Sequence, residues 1–204
     1  MVQFFDGHSS ANEHTLFVLS GPSGVGKSTV LDHLLTKFDH LEKLVSYTTR
    51  EPRDNEKPGF SYKYISREKY AEMEDKGKFL QSVEYVGNYY GYTKKQILSV
   101  MQQGNNVVAD VDYRALPILK AHFPNCITIF IVPPSREAVQ SRLQSRGDLP
   151  EAIARRMQTY DETMEAIEDY EFKIVNKDGE LSETLEAIDR IINEKCDLLN
   201  RLPI

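Results

Sequence analysis

The chain has 204 residues, 40% of them hydrophobic, with 25 Lys+Arg against 31 Asp+Glu and a formal net charge of −6. That is the size of one domain with a core that needs no disulfides, and the apolar content excludes a disordered chain. The acidic balance excludes a broad nucleic-acid-binding surface, which collects cations to neutralise phosphates. A small phosphorylated ligand remains open, since it needs only a local cluster of Arg and Lys.

Cys126 and Cys196 match no metal spacing and suit a reduced, cytoplasmic setting. No apolar run is long enough to span a membrane, so neither a nucleic-acid nor a membrane partner is expected. Residues 1–14 lack the basic and apolar regions of a signal peptide and read as a loosely held tail.

In chain order, 15–20 (TLFVLS) reads as a strand that ends in a Gly-rich turn, and 27–38 carries apolar residues at helical spacing. Further strands are expected at 106–112, 126–132 and 172–175, apolar nearly throughout, as parallel strands covered on both faces are. Helical patterns at 94–103, 113–122, 135–145, 149–167 and 181–199 alternate with them, which predicts an α/β fold with a parallel sheet. The stretch 46–93 differs. It holds most of the tyrosines, several turn residues and β-rich fragments at 60–65 and 79–85, and reads as an insertion with its own small sheet.

Gly21-Pro22-Ser23-Gly24-Val25-Gly26-Lys27-Ser28 fits G-x-x-x-x-G-K-[ST] between a predicted strand and a predicted helix, the context the phosphate-binding P-loop requires. Its glycines let backbone N–H groups turn toward phosphate oxygens, and the helix start adds a positive dipole end. Lys27 would reach the β- and γ-phosphates, and the Ser28 hydroxyl would ligate Mg²⁺. Asp110 and Asp112, at the end of the next strong strand, are candidates for the acidic residue facing that ion; strand-terminal Asp residues also start turns or cap helices. Arg50 and Arg53, three residues apart around a proline, could hold one dianionic phosphate in two forks.

GPSGVGKST, SYTTREPR, GNYYG, VVADVD, IFIVPPS with RLQSRG, and IVNKD together resemble the guanylate kinase family in identity, order and spacing, over about 16–192. The resemblance implies a P-loop NTPase-type parallel sheet flanked by helices (15–45, 94–134, 157–200), a small mixed α/β region for the nucleoside monophosphate (46–93) and a helical lid (135–156). It implies transfer of the ATP γ-phosphoryl group to GMP or dGMP with Mg²⁺, in a monomer or homodimer. Gly21, Ser23, Gly24, Val25, Gly26, Lys27, Ser28 and Thr29 would bind ATP, with Asn176 near the adenine. Arg50, Arg53, Tyr62 and Tyr90 would hold the acceptor phosphate, Ser46 would lie beside its base, and Asp110 and Asp112 would complete the acceptor side. Arg142, Arg146 and Arg156, the last with Arg155 as its alternative, resemble the lid arginines. The transfer itself is in-line and needs no strong base, because the acceptor is already an oxyanion.

Two positions depart from the family pattern, both where the base is read. Gln81 stands where a Glu usually accepts hydrogen bonds from guanine N1–H and the 2-amino group, and Tyr92 where Ser or Thr usually stands. A carboxamide offers one acceptor and one donor instead of two acceptors. Altered or relaxed base choice is therefore an alternative, unless Glu84 or Thr93 substitutes by a small shift. Two further readings are a non-catalytic phospho-ligand module, which the intact Lys27 and Ser28 disfavour, and a related kinase acting on a phosphorylated sugar.

Overall fold

The computed structural model describes residues 14–52, 56, 59, 61–85 and 87–199; Arg53 and the expected tail up to residue 13 lie outside them. The first strand, β1 (Leu16–Ser20), is buried along its whole length and runs parallel to β7 (Asn106–Asp110) on one side and β8 (Ile127–Val132) on the other. With β2 (Leu41–Lys43) and β9 (Phe172–Val175) they form a five-stranded parallel sheet of order β2-β7-β1-β8-β9. Successive residues of β1 point to opposite faces, and each face has its own core. Leu16 and Val18 join Ala109 and Phe130 and pack against α3 (Lys94–Gln102) and α4 (Leu116–His122) through Ile97, Met101, Leu116 and Leu119. Phe17 and Leu19 join Val108, Ile129 and Ile131 and pack against α1 (Lys27–Lys37) and α7 (Leu181–Leu199) through Val30, Leu34, Ile188 and Ile192.

This strand order has a functional consequence. The chain leaves β1 to one side and returns to β8 on the other, so the crevice at the carboxyl ends of β1 and β7 is a topological switch point, where open α/β sheets bind ligands. Leu19 is in register with Asp110, which sets the end of β7 beside the glycine loop that follows β1.

The insertion forms a second sheet of order β4-β3-β6-β5, from β3 (Tyr47–Thr48), β4 (Lys63–Tyr64), β5 (Gln81–Tyr85) and β6 (Asn88–Tyr92). It also carries a helix, α2 (Arg67–Asp75), whose N-cap Ser66 accepts from Lys69 N–H. The tyrosines explain how so small a sheet holds together. Tyr70 is almost wholly buried, stacks on Phe79 at 4.3 Å and on Tyr89 at 5.4 Å, and reaches Ser82 Oγ at 2.8 Å. Gly91 makes that fit possible: a Cβ there would lie 2.5 Å from the Tyr70 hydroxyl.

Two helices, α5 (Arg136–Ser145) and α6 (Pro150–Glu165), pack through Val139, Leu143, Ile153, Met157 and Tyr160 into a small cluster of their own. The structure corrects several expected bounds. The strand expected at 106–112 ends at Asp110, because the Asp112 carboxylate accepts from Arg114 N–H and starts a 3₁₀ turn (Tyr113–Ala115) before α4. Among the described residues of the expected 60–65, the strand is Lys63–Tyr64, while β2, β3 and α2 lack a strong periodic signal in the sequence.

Candidate nucleotide site

The loop between β1 and α1 has the features an anion needs. Gly26 caps α1 at φ 108° with no side-chain hydrogen bond, and no acidic residue enters the first turn. By contrast Ser66, Thr93 and Ser135 cap α2, α3 and α5 with their side chains. The first N–H groups of α1 are therefore left to a ligand. A Cβ on Gly26 would lie 2.5 Å from the Asn176 amide nitrogen. Lys27 Nζ donates to the Gly21 and Pro22 carbonyls at 2.7 and 3.1 Å, which curls its ammonium over the loop. Ser28 and Thr29 are exposed at the helix start.

A cleft of about 390 Å³ connects this loop to the insertion, and its wall includes Lys27, Ser46, Arg50, Tyr62, Gln81 and Tyr90. Gly21, Ser23, Tyr92, Asp110, Asp112 and Arg156 line it as well. Asp110 is wetted by the cleft yet walled by protein, and this desolvation raises its pKa although Lys27 and Lys43 pull it down. Lys43, a cation near Asp110 that no motif marks, lies on the short β2, which has no periodic signal.

The expected acceptor-phosphate residues are grouped. The Arg50 guanidinium lies 5.5 Å from the centroid of the Tyr62 ring, which meets the Tyr90 ring edge-on at 5.8 Å. Arg50 Nη2 also donates to both oxygens of Glu56, at 2.6 and 2.9 Å. Burial lowers the Arg50 pKa, but Glu56 and Tyr90 overcome that and raise it. Burial also raises the Tyr62 pKa, with Asp110 and Tyr90 adding to it, so its phenol stays a donor.

Gln81 and Tyr92, the expected base-reading pair, are partners in the β5–β6 ladder, and both are more than nine-tenths buried. Neither proposed substitute reaches them. Strand alternation sends Gln81 and Val83 to the cleft and Glu84 to the other face. Thr93 caps α3, accepting from Gln96 N–H at 3.1 Å while the Gln96 side chain accepts from Thr93 N–H. The Asp112 carboxylate does line the cleft, held by Arg114 Nε at 2.7 Å.

The three arginines expected in a lid are not equivalent. Arg156, on α6, lines the cleft, donates to Ser23 Oγ and pairs with Asp148 at 3.3 Å, whereas Arg155 is exposed. Arg146 also pairs with Asp148, its Nε donating at 3.0 Å. Arg142 braces the loop from behind, donating to the Val25 carbonyl at 3.2 Å, the Asn176 carbonyl at 2.8 Å and Asp178. Asn176, expected near an adenine, is buried against the loop: its amide donates to the Val25 carbonyl at 2.7 Å and its carbonyl accepts from Thr184 at 3.2 Å.

The guanylate kinase family model matches residues 13–195. The chain is 43% identical over 175 residues to the guanylate kinase of Trichormus variabilis, covering 85% of this chain and 87% of that one. It is 35% identical over 188 residues to that of Alkalilimnicola ehrlichii, covering 92% of each. Among solved structures it is similar to the crystal structure of guanylate kinase from Anaplasma phagocytophilum, with a TM-score of 0.69 and 26% identity over 89% of this chain and 86% of that chain.

Proposed function

The chain belongs to the guanylate kinase family, and from that premise we propose that it transfers the γ-phosphoryl group of ATP to GMP or dGMP in the cleft between the glycine loop and the tyrosine-rich sheet. The observation that carries this reading is that one continuous cleft is lined both by Lys27 at the open N-terminus of α1 and by Arg50, Tyr62 and Tyr90. Two phosphate sites sharing a wall are what phosphoryl transfer between nucleotides needs, because most of the barrier is removed by alignment and by neutralising charge.

In this reading the loop N–H groups and Lys27 hold the ATP phosphates, and Arg156 reaches the group in transit. Arg50, with Arg53, Tyr62 and Tyr90, fixes the acceptor phosphate. Arg142 and Asn176 keep the loop in shape, while Ser46, Gln81, Tyr92 and Asp112 surround the base. The Ser28 hydroxyl and Asp110 carboxylate are oxygen donors of the kind Mg²⁺ takes, and the ion, when bound, neutralises phosphate charge. Among the described residues no group of three or more His, Cys, Asp or Glu could hold a metal ion. No helix among the described residues is long and apolar enough to cross a membrane.

A second reading, weaker selection among bases, is favoured by the buried carboxamide of Gln81 and by the orientation of Glu84 and Thr93 away from it. Steady-state rates with ATP and GMP, dGMP, AMP, CMP, UMP or dTMP test both. A hundredfold preference for GMP sinks the second reading. Failure of every acceptor, or activity that survives Lys27→Ala, sinks the first.

A further inference from the structure

No motif points to Glu56, yet it sits at the centre of the acceptor-phosphate wall. Its carboxylate is bound on both oxygens: Arg50 Nη2 donates to Oε1 and Oε2, and the Tyr64 hydroxyl donates to Oε2 at 2.8 Å. The side chains of Arg50 and Glu56 are only 17% and 15% exposed. Arg50 Nη1 donates in addition to the Glu51 carbonyl at 2.7 Å. The guanidinium is thus pinned at both terminal nitrogens, laid over the Tyr62 ring and set beside the Tyr90 hydroxyl.

A free arginine carries considerable rotamer freedom, which a ligand must otherwise quench on binding. An arginine held by a carboxylate has lost that freedom already on folding. A carboxylate beside a dianion also repels it, so the net effect depends on whether orientation outweighs repulsion. Glu56 lines the cleft, but both of its carboxylate oxygens are already held by donors on the protein, which offsets the charge they present to the incoming group.

We propose that Glu56 is a positioning residue for the acceptor's phosphate, acting through Arg50 and itself fixed by Tyr64. The proposal rests on the acceptor-site reading above and adds two residues to it. In Glu56→Gln one oxygen and the charge are lost, so KM for GMP should rise about tenfold, the low end of what a charge-assisted hydrogen bond contributes. The kcat and the KM for ATP should stay within about twofold, which a general loss of structure would not allow. Glu56→Asp, which keeps the charge on a shorter arm, should fall between. Tyr64→Phe should raise KM for GMP roughly threefold, and should add little in the Glu56→Gln background, because the two act in series.

An unchanged GMP KM in Glu56→Gln overturns the proposal. A lowered KM overturns it too, by showing that the carboxylate competes with the phosphate. Additive effects in the double variant overturn the series from Tyr64 to Arg50. If Glu56→Gln melts early, Tyr64→Phe decides alone, and a GMP KM within 1.5-fold of the unsubstituted protein, roughly the resolution of such assays against a charge-assisted bond, refutes the role. Calorimetric titration of GMP into the same proteins reads the same shifts as Kd. Absence of phosphoryl transfer in the unsubstituted protein would therefore overturn the kinase reading without touching this test.

Discussion

Gln81 and Tyr92 stand opposite one another across the β5–β6 ladder and share the buried wall of one cleft. They are also the two expected base-reading positions at which the sequence departs from the pattern it resembles. Guanine presents two adjacent donors, and a carboxamide can accept only one of them. Gln81→Glu should therefore raise kcat/KM for GMP about tenfold, near the lower bound of a charge-assisted hydrogen bond at about 1.5–3 kcal/mol. It should lower the rate with AMP. Without acceptor the same substitution buries an unpaired carboxylate, so Tm should drop and recover when GMP is added. The acceptor panel and a melting curve with and without GMP check both halves, and no change in the GMP rate would show that the base is not read at this pair.

The parallel sheet was legible because β1, β7 and β8 are near-continuous apolar runs set between helical patterns, and the loop because Gly26, Lys27 and Ser28 have fixed chemistry. Most residues that line the cleft could likewise be named from their motifs. What could not be read was the set of contacts made between motifs. Glu56 and Lys43 have no motif, and their neighbours come from strands of two or three residues whose pairing is decided by tertiary packing. The motif singles out Asn176, but its use as a brace for Val25 follows only from the arrangement of β9 against the loop. Asp112 shows the same ambiguity resolved in three dimensions, since it both caps a 3₁₀ turn and lines the cleft.

Asn176 and Gly26 form one mechanical unit, the amide of the first filling the space a Cβ of the second would take. Asn176→Ala removes the bonds to the Val25 carbonyl and Thr184, at a cost of about 1–3 kcal/mol for buried groups left unpaired. We expect a lower Tm and a higher KM for ATP, with KM for GMP nearly unchanged. Gly26→Ala should be worse, since the left-handed φ strains any side chain in addition to the clash. Thermal melts and separate ATP and GMP titrations distinguish a loop defect from a general one.

Tyr170 is a hydroxyl without a use. It is 3% exposed and its oxygen has no hydrogen-bond partner. Ser20 is close enough to moderate its pKa, but the Ser20 hydroxyl is donated to the Val111 carbonyl at 3.0 Å. Tyr170→Phe should leave Tm unchanged or raise it, by up to about 1 kcal/mol of stability. Burial pushes the Tyr170 pKa up to about 12 from an ordinary value of 10.0. The folded state thus keeps its proton longer than the unfolded one, so this contribution is complete below pH 10 and is lost as pH rises through 12. Melting curves at increasing pH should fall more steeply for the unsubstituted protein than for Tyr170→Phe across that interval, and parallel curves would refute the assignment.

Arg155 and Arg156 are neighbours on α6 with opposite surroundings, and that difference predicts which one matters in transfer. Arg156 faces the cleft, touches Ser23 of the glycine loop and is steadied by Asp148, while Arg155 is exposed. A cation aimed at a group that gains charge in the transition state contributes to kcat more than to binding, and losing one such donor costs about 10²–10³ in rate. Arg156→Ala should therefore lower kcat by about that factor with modest changes in both KM values, whereas Arg155→Ala should stay within about threefold, as a solvated surface charge does. Asp148→Asn should produce an intermediate loss, because it frees Arg156 without removing it. Single-turnover rates at saturating ATP and GMP separate these from effects on product release. Equal losses for the two arginines would mean that α6 rotates on closure and that the arrangement seen here does not select between them.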